Sequence, residues 1–442
     1  MASIDEIKDL LQKLAPVLGN KTSGLWYFNL FSKDAKTAYA NGELLRLLAD
    51  KKARLDFREE IRLPPPKPDQ LIGNYNIGEV IYPDRIYSAF GLRSNEFIKH
   101  ILITGMTGAG KTNLAFHLLS ELAKHNKPFL VFDWKQSYQA LKQLPELNNL
   151  QIIRLGDKDC SFKFNPLIPP PGIYPKHWMA MLVDVIKHAF FVAYGVEYFF
   201  RKGIDHLYGQ YGIYEGKIDY PTFEDLEKTL QKEFVRGREM LWMSSAKRVL
   251  SSLTFSGLLG EVINVRRQAN IENLLSQNVI FELDNLATIE KIFFVESLLL
   301  WIYHFRKSES KRESFKHAII IEEAHHILSG KKEYEFGEET IIESIVRMIR
   351  EFGESIIIID QEPTKISNSI LANTNCKICF NLGNGKDIDT MANCMNLKYD
   401  EKRYIDKLKI GNAIIKLKDR FNEPIQVKIP LVPINKSSIG IP

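Results

Sequence analysis

The segment Gly105-Met106-Thr107-Gly108-Ala109-Gly110-Lys111-Thr112 fits the pattern G-x-x-x-x-G-K-[ST] at every fixed position. A loop of this kind wraps its backbone N–H groups around phosphate oxygens, and Gly105, Gly108 and Gly110 allow the close approach that a Cβ would obstruct. Lys111 is spaced to reach the terminal phosphates and the Thr112 hydroxyl to ligate Mg²⁺. Thr107, Ala109 and Asn113 belong to the same nucleotide-facing stretch. The apolar run HILITG (100–105) precedes the loop and KTNLAFHLLSELAKH (111–125) follows it with a helical pattern. The loop therefore opens a helix whose free amides and dipole favour an anion. The expected ligands are ATP and Mg²⁺.

Further along, HAIIIEEAHH (317–326) is an apolar run ending in two acidic residues. Glu322 is the candidate to hold magnesium and Glu323 the candidate general base for the attacking water. Helix-start acids that favour the dipole are the alternative. The pair His325-His326, expected on an emerging helix, suggests packing or solvation and no metal role. SIIIIDQEP (355–363) ends in Gln361, which could sense the γ-phosphate or orient water, with Asp360 able to serve equally. FLVFDWKQSY (129–138) ends in Asp133 and Lys135, either facing the same cleft or forming an ordinary polar strand end. Arg347 and Arg350, three apart in SIVRMIREFGES, share one helical face. They are either a solvated face or guanidiniums that neutralise charge developing during phosphoryl transfer.

These residues need a scaffold that brings strand ends together. Apolar runs at 128–134, 150–156, 277–284, 317–323, 355–360 and 377–383 alternate with helical stretches. Runs with little polar interruption, separated by helices, predict an α/β fold with a mainly parallel sheet covered on both faces. AIIKLKD (413–419) and IQVKIPLV (425–432) read as a closing hairpin. Between about 170 and 275 the pattern is mainly helical and predicts an inserted lobe, with the aromatic stretch HAFFVAYGVEYFF assigned to its core. Residues 1 to about 62 have helical periodicity, and LPPPKP (63–68) reads as a linker, so a small N-terminal region of 1–70 is expected ahead of a domain spanning 71–442.

The composition, 45% hydrophobic and 26% charged, is that of a globular protein with a sizeable core. A net charge of +5 is compatible with nucleic acid and far from diagnostic of it. Four cysteines build no disulfide framework, so a reducing cytoplasm is the default; CKIC (376–379) reads as structural thiols, not zinc ligands. The start of the chain is no secretory signal, and the apolar run IFFVESLLLWIYHF (292–305) is short and carries Glu296, which predicts a buried helix and no membrane span.

In order and wording, these motifs resemble the HerA–FtsK superfamily of ring ATPases, and within it the HerA-like branch. The resemblance is carried by HILITGMTGAGKT, by VFDWKQSY and KFNPL (163–167), by IIIEEAHHIL, by IVRMIREFGESIIIIDQEP, and by LKIGNAIIKLKDRFNEPIQVKIP. It implies a RecA-like core that assembles as a hexamer with ATP between subunits and moves double-stranded DNA through a central channel. It also implies that Arg350, or Arg347 in its place, is donated across the subunit interface, and that Lys99 touches nucleotide there. A partner nuclease or effector, in DNA end resection or antiphage systems, is implied as well. Glu322 stands where the family usually has Asp. The short helical N-terminal region does not resemble the family's β-barrel, so a partner bound through it would differ. Lys331 and Lys332, in a polar loop, read first as a solvated stretch and only second as DNA contacts. A conjugation or type IV secretion ATPase, or an ATP-binding ring that organises an effector with little translocation, are the alternatives.

Overall fold

In a computed structural model of the chain, residues 61–309, 314–330 and 340–434 are described, together with Glu43 and Arg312. The helices expected before residue 61, and Lys331 and Lys332, lie outside the described residues. The chain divides into two compact units, Met1–Arg62 and Leu63–Pro442. The description below concerns the second.

The apolar runs become β3 (Ile101–Thr104), β4 (Phe129–Asp133), β5 (Gln151–Arg154), β6 (Asn278–Glu282), β7 (His317–Ile321), β8 (Glu354–Asp360) and β9 (Cys376–Cys379). They pair in parallel in the order β9-β3-β8-β7-β4-β6-β5. Except for the edge strand β5, every residue of these strands is buried. A strand covered on both faces has no solvent side, which is why its sequence does not alternate. On one face, Leu114, Leu118 and Leu122 of α1 (Lys111–Lys124) join Ile103, Val131, Ile320 and Ile357 in one core. On the other, Phe132 stacks on Phe281 at 6.1 Å, and the ring of Phe294 packs edge-on against both.

Beyond β9 the sheet continues antiparallel through β10 (Asn412–Leu417) and β11 (Ile425–Lys428), the expected hairpin, and then through β1 (Tyr75–Ile81) and β2 (Ile86–Leu92). The β1–β2 hairpin has no counterpart among the predicted elements. Its glycines, a register shift at Asn76/Gly78 and an exposed first half of β2 break the alternation that marks a strand. Tertiary contacts hold it: Glu121 of α1 accepts from Asn76 N at 2.9 Å, and His117 bonds Asn76 O at 2.9 Å.

Between β5 and β6 lie the helices α2 (Pro175–Phe190), α3 (Tyr194–Gln210), α4 (Phe223–Lys232) and α5 (Glu239–Leu253). The aromatic stretch there is divided. Val196, Phe199 and Phe200 are buried, whereas Phe191, Tyr194 and Tyr198 are exposed, because a helix of period 3.6 cannot turn every residue inward. Asn165 of KFNPL pins the lobe: its Nδ2 donates to Pro221 O and Val265 O, both at 2.9 Å. The long helix α6 (Thr288–Ser308) is buried almost throughout, and its Glu296 is paired with His188 of α2 at 2.6 Å. No helix among the described residues is long and apolar enough to cross a membrane. Cys376 and Cys379 are buried in β9, and burial pushes both thiols up to about 12, which suits packing more than metal ligation.

At the amino end of β8, Glu354 is fully buried and accepts from Arg306 Nε at 2.5 Å and from His317 Nδ1 at 2.7 Å, tying α6, β7 and β8 together. Burial pushes its carboxyl up, but His317 and Arg306 together outweigh that and hold it near about 2. Removing one partner of a buried ionic cluster leaves the others uncompensated, so Glu354→Gln is expected to cost about 3–5 kcal/mol in urea unfolding at neutral pH. Because the folded pKa lies below the ordinary 4.5, this stabilisation is complete above that value and lost as pH falls toward about 2. The difference between wild type and variant should shrink across that window; a constant gap would show that the cluster is not ionised as described.

Candidate active site

In a parallel sheet, the loops after the strands gather at one edge. Here that edge brings together the ends of β3, β8, β7 and β4, adjacent in that order. The loop 105–110 leaves β3 and enters α1. A Cβ on Gly105 would stand 2.6 Å from Phe380 Cβ, and Gly108 holds φ +79. The loop is seated on the segment after β9, through Met106 N donating to Asn381 O at 2.7 Å, and on the turn before β10, through Gly411 N donating to Ala109 O at 3.0 Å. The first helical bond of α1 runs from Leu114 N to Gly110 O, so the amides of Lys111, Thr112 and Asn113 have no intrahelical acceptor. Lys111 Nζ donates to Gly105 O at 2.6 Å and Met106 O at 3.0 Å. Burial lowers its pKa, while Glu323, Asp360 and Glu322 act in the opposite direction.

Glu322 and Glu323 follow β7, separated from β3 by β8 alone. Their side chains meet different partners. Glu322 is buried and accepts from the Tyr138 hydroxyl at 2.8 Å. Burial, reinforced by the nearby Asp133 carboxylate, pushes Glu322 up to about 7. Asp133 itself is raised to about 6 by burial, against the amides of Lys135, Ser137 and Tyr138. Two neighbouring buried acids are a donor set that a divalent ion would suit, and Glu322 with the Thr112 hydroxyl fits Mg²⁺ by oxygen chemistry.

Glu323 occupies the left-handed region at φ 45, ψ 44, a strain of about 1–3 kcal/mol for a residue with a Cβ. Its Oε1 accepts from Gln361 Nε2 at 2.8 Å and is ion-paired with Lys135. Gln361 Oε1 in turn accepts from Thr107 Oγ1 at 2.6 Å. A chain of contacts thus runs from the phosphate loop through Gln361 to Glu323. Asp360 does not share the place open to Gln361: it accepts from His325 N at 2.7 Å and His325 Nδ1 at 2.9 Å. That bond to Asp360 raises the pKa of His325. His325 and His326 lie on a short 3₁₀ turn, Ala324–His326, and not on an emerging helix, and the His326 ring stacks on Trp134 at 4.7 Å. Trp134, Lys135, Glu323, His325, His326 and Gln361 are among the residues lining a cleft of about 380 Å³ at this edge.

Some expected residues lie elsewhere. The Asn113 side chain is committed to the chain after β11, donating to Pro430 O at 2.8 Å and accepting from Val432 N at 3.0 Å. Lys99 stands before β3, at the opposite end from the loop, ion-paired with Asp419. Arg347 closes α7 (Ile341–Met348), and Arg350 lies in the following 3₁₀ turn, so one helix does not carry both. Both are exposed, and both precede β8, whose seven residues set them roughly 20 Å from the strand ends of their own chain. Tyr138, Phe380 and Asn381 were not singled out by sequence. Tyr138 closes the DWKQSY motif, but nothing local marks its hydroxyl as a partner of Glu322.

The sheet order, the phosphate loop and the acids one strand away define the fold of a RecA-like P-loop NTPase. Residues 75–170 match the family described as "Helicase HerA, central domain". The DNA double-strand break repair helicase HerA of Saccharolobus solfataricus is 25% identical over 337 residues, which span 73% of this chain and 63% of that protein. The protein of the same name from Sulfolobus acidocaldarius is 27% identical over 348 residues, with the same two shares. The similarity to these HerA proteins runs across this core, and the chain spans less than two thirds of their length. Among solved structures, VirB4 of Thermoanaerobacter pseudethanolicus superimposes with a TM-score of 0.63 at 16% identity, covering 82% of this chain and 97% of that one. Plasmid coupling protein TrwB in complex with ADP and Mg²⁺ gives a TM-score of 0.57 at 13% identity, covering 78% and 88%. These two likenesses are of fold.

Two glycine variants separate shape from backbone conformation. Gly108→Ala meets nothing within 4 Å and carries only the cost of a positive φ, about 1–2 kcal/mol. Gly105→Ala drives a methyl into Phe380 and should lower stability by at least about 1 kcal/mol more than Gly108→Ala. Urea unfolding of both variants without nucleotide measures this, and equal stabilities would contradict the seating of the loop on Phe380.

Proposed function

We propose that this chain is an ATP-hydrolysing motor that assembles as a hexamer and moves double-stranded DNA, together with a partner nuclease or effector in DNA end processing or antiphage defence. The observation that carries the reading is the contact chain Thr107–Gln361–Glu323, which links a phosphate-binding loop to a carboxylate able to act as base. The HerA-like core supports DNA as the cargo, since the matching relatives are named as DNA double-strand break repair helicases. Cytoplasmic location belongs to the same reading.

In this mechanism the unbonded amides at the start of α1, with Gly108 and Gly110, receive the phosphate oxygens. Lys111 exchanges the carbonyls of Gly105 and Met106 for the β- and γ-phosphates. Thr112 and Glu322 would hold Mg²⁺, whose chemistry is to neutralise phosphate charge. Glu323 takes the proton of the attacking water and Gln361 orients that water. Arg350, with Arg347 as the substitute, reaches the site of a neighbouring subunit, because the length of β8 keeps both away from the site of their own chain. There a guanidinium offsets charge that develops in the transition state. Lys99 has its place at the same junction. The N-terminal region is the natural dock for a partner, and DNA is held through backbone phosphates without sequence reading.

Glu323→Gln keeps the shape of the side chain and removes the base. ATP turnover should fall by roughly 10²–10⁴-fold while ATP binding persists. Wild-type turnover should rise on adding duplex DNA, and the rise should fade as salt increases. Turnover indifferent to DNA, with a ring that still recruits a second protein, would favour an ATP-binding scaffold. Turnover at the wild-type rate in Glu323→Gln would remove Glu323 from the mechanism.

A further inference from the structure

One contact at the site has no part in the chemistry just described. Lys135, two residues past the end of β4, is ion-paired through Nζ with Glu323 Oε1, the same oxygen that accepts from Gln361. The ammonium stabilises the charge of the carboxylate and so weakens it as a base, and together with the Gln361 amide it fixes where the side chain points, with Oε2 at 3.8 Å from His325 Nδ1. The stem of Lys135 is fixed: its amide donates to Asp133 Oδ1 at 2.9 Å, and Trp134 beside it is stacked on His326. Its tip is not, with 57% of the side chain exposed. An ion pair this open to water is weak and readily exchanged.

We propose that Lys135 is a restraint on the general base, a positioning residue that holds Glu323 in a resting arrangement until the phosphate loop is engaged. This rests on the reading of Glu323 as the base. The signal travels through Gln361, whose carbonyl oxygen is bonded to Thr107 of the phosphate loop and whose amide is bonded to Glu323. Phosphate oxygens that draw Thr107 into their own hydrogen bonds free Gln361, and Glu323 then keeps only the exposed ion pair. Breaking that pair delivers the carboxylate to the attacking water. The arrangement orders the events, since a base pinned by Lys135 and Gln361 is released after the loop is filled, and the remaining ion pair still sets part of the barrier.

The test compares ATP turnover without DNA in wild type, Lys135→Met, Lys135→Arg and Glu323→Gln. Lys135→Met keeps the length and apolar stem of the side chain and loses the charge. It should turn over ATP about two- to fivefold faster than wild type, the range an exposed ion pair allows. Lys135→Arg, which restores the pair, should return to the wild-type rate. The double variant Lys135→Met with Glu323→Gln should sit at the floor set by Glu323→Gln, showing that the gain runs through the base. Thermal melting checks the fold, and Lys135→Gln replaces Lys135→Met should the latter not fold. Lys135→Met no faster than wild type overturns the restraint, and a fall to the Glu323→Gln floor makes Lys135 a participant in catalysis instead. The two readings fail differently: wild type and Lys135→Met both at the floor removes the ATPase reading, whereas wild type above the floor with no gain in Lys135→Met removes only the restraint.

Discussion

Parallel pairing of β3, β8, β7 and β4 is the constraint from which the rest follows. Thr104 lies opposite Asp360, and Ile321 opposite both Ile358 and Phe132, so four chain segments end within one or two residues of a common line. A parallel sheet needs a crossover between neighbouring strands, and the crossovers carry the helices that bury both faces. Once the faces are covered, polar chemistry has nowhere to go but the edges. That is why phosphate loop, paired acids, glutamine and lysine crowd at one end, while Arg347, Arg350 and Lys99 stand at the other.

The electrostatics of the two ends differ in kind. At the amino end of β8 the charge is closed: Glu354 is satisfied by Arg306 and His317 and its carboxyl is held near about 2. At the carboxyl end it is open. Glu322 and Asp133 are buried close together and both are pushed up, with a single tyrosine hydroxyl on Glu322. Burial of two neighbouring acids disfavours their charged forms, which is why both are raised. The ionic cluster that stabilises the sheet and the raised acids therefore sit at opposite ends of the same sheet.

Function in this architecture also depends on which contacts are easily broken. Glu354, Glu296 and Asn165 are deeply buried and bonded, and they hold the sheet, the long helix α6 and the lobe as one body. The Lys135–Glu323 pair and the Thr107–Gln361 bond are half in water, where exchange is cheap. Rigid parts thus frame a small set of side chains held by weak, exposed contacts.

The phosphate loop, the acidic strand end, the parallel fold and the helical lobe were legible in the chain itself, because each is a local pattern: glycine spacing, an unbroken apolar run, a helical period. What local pattern could not show was pairing across the sheet. The hydroxyl of Tyr138 on Glu322, the seat of Gly105 on Phe380, the bond of Thr107 to Gln361 and the hold of Lys135 on Glu323 join residues 184, 275, 254 and 188 positions apart, respectively. The β1–β2 hairpin and the turn of Asn113 toward Pro430 are decided the same way, by neighbours far along the chain. Periodicity reports whether a side chain faces a core; only the register of a folded sheet determines which side chain it meets there.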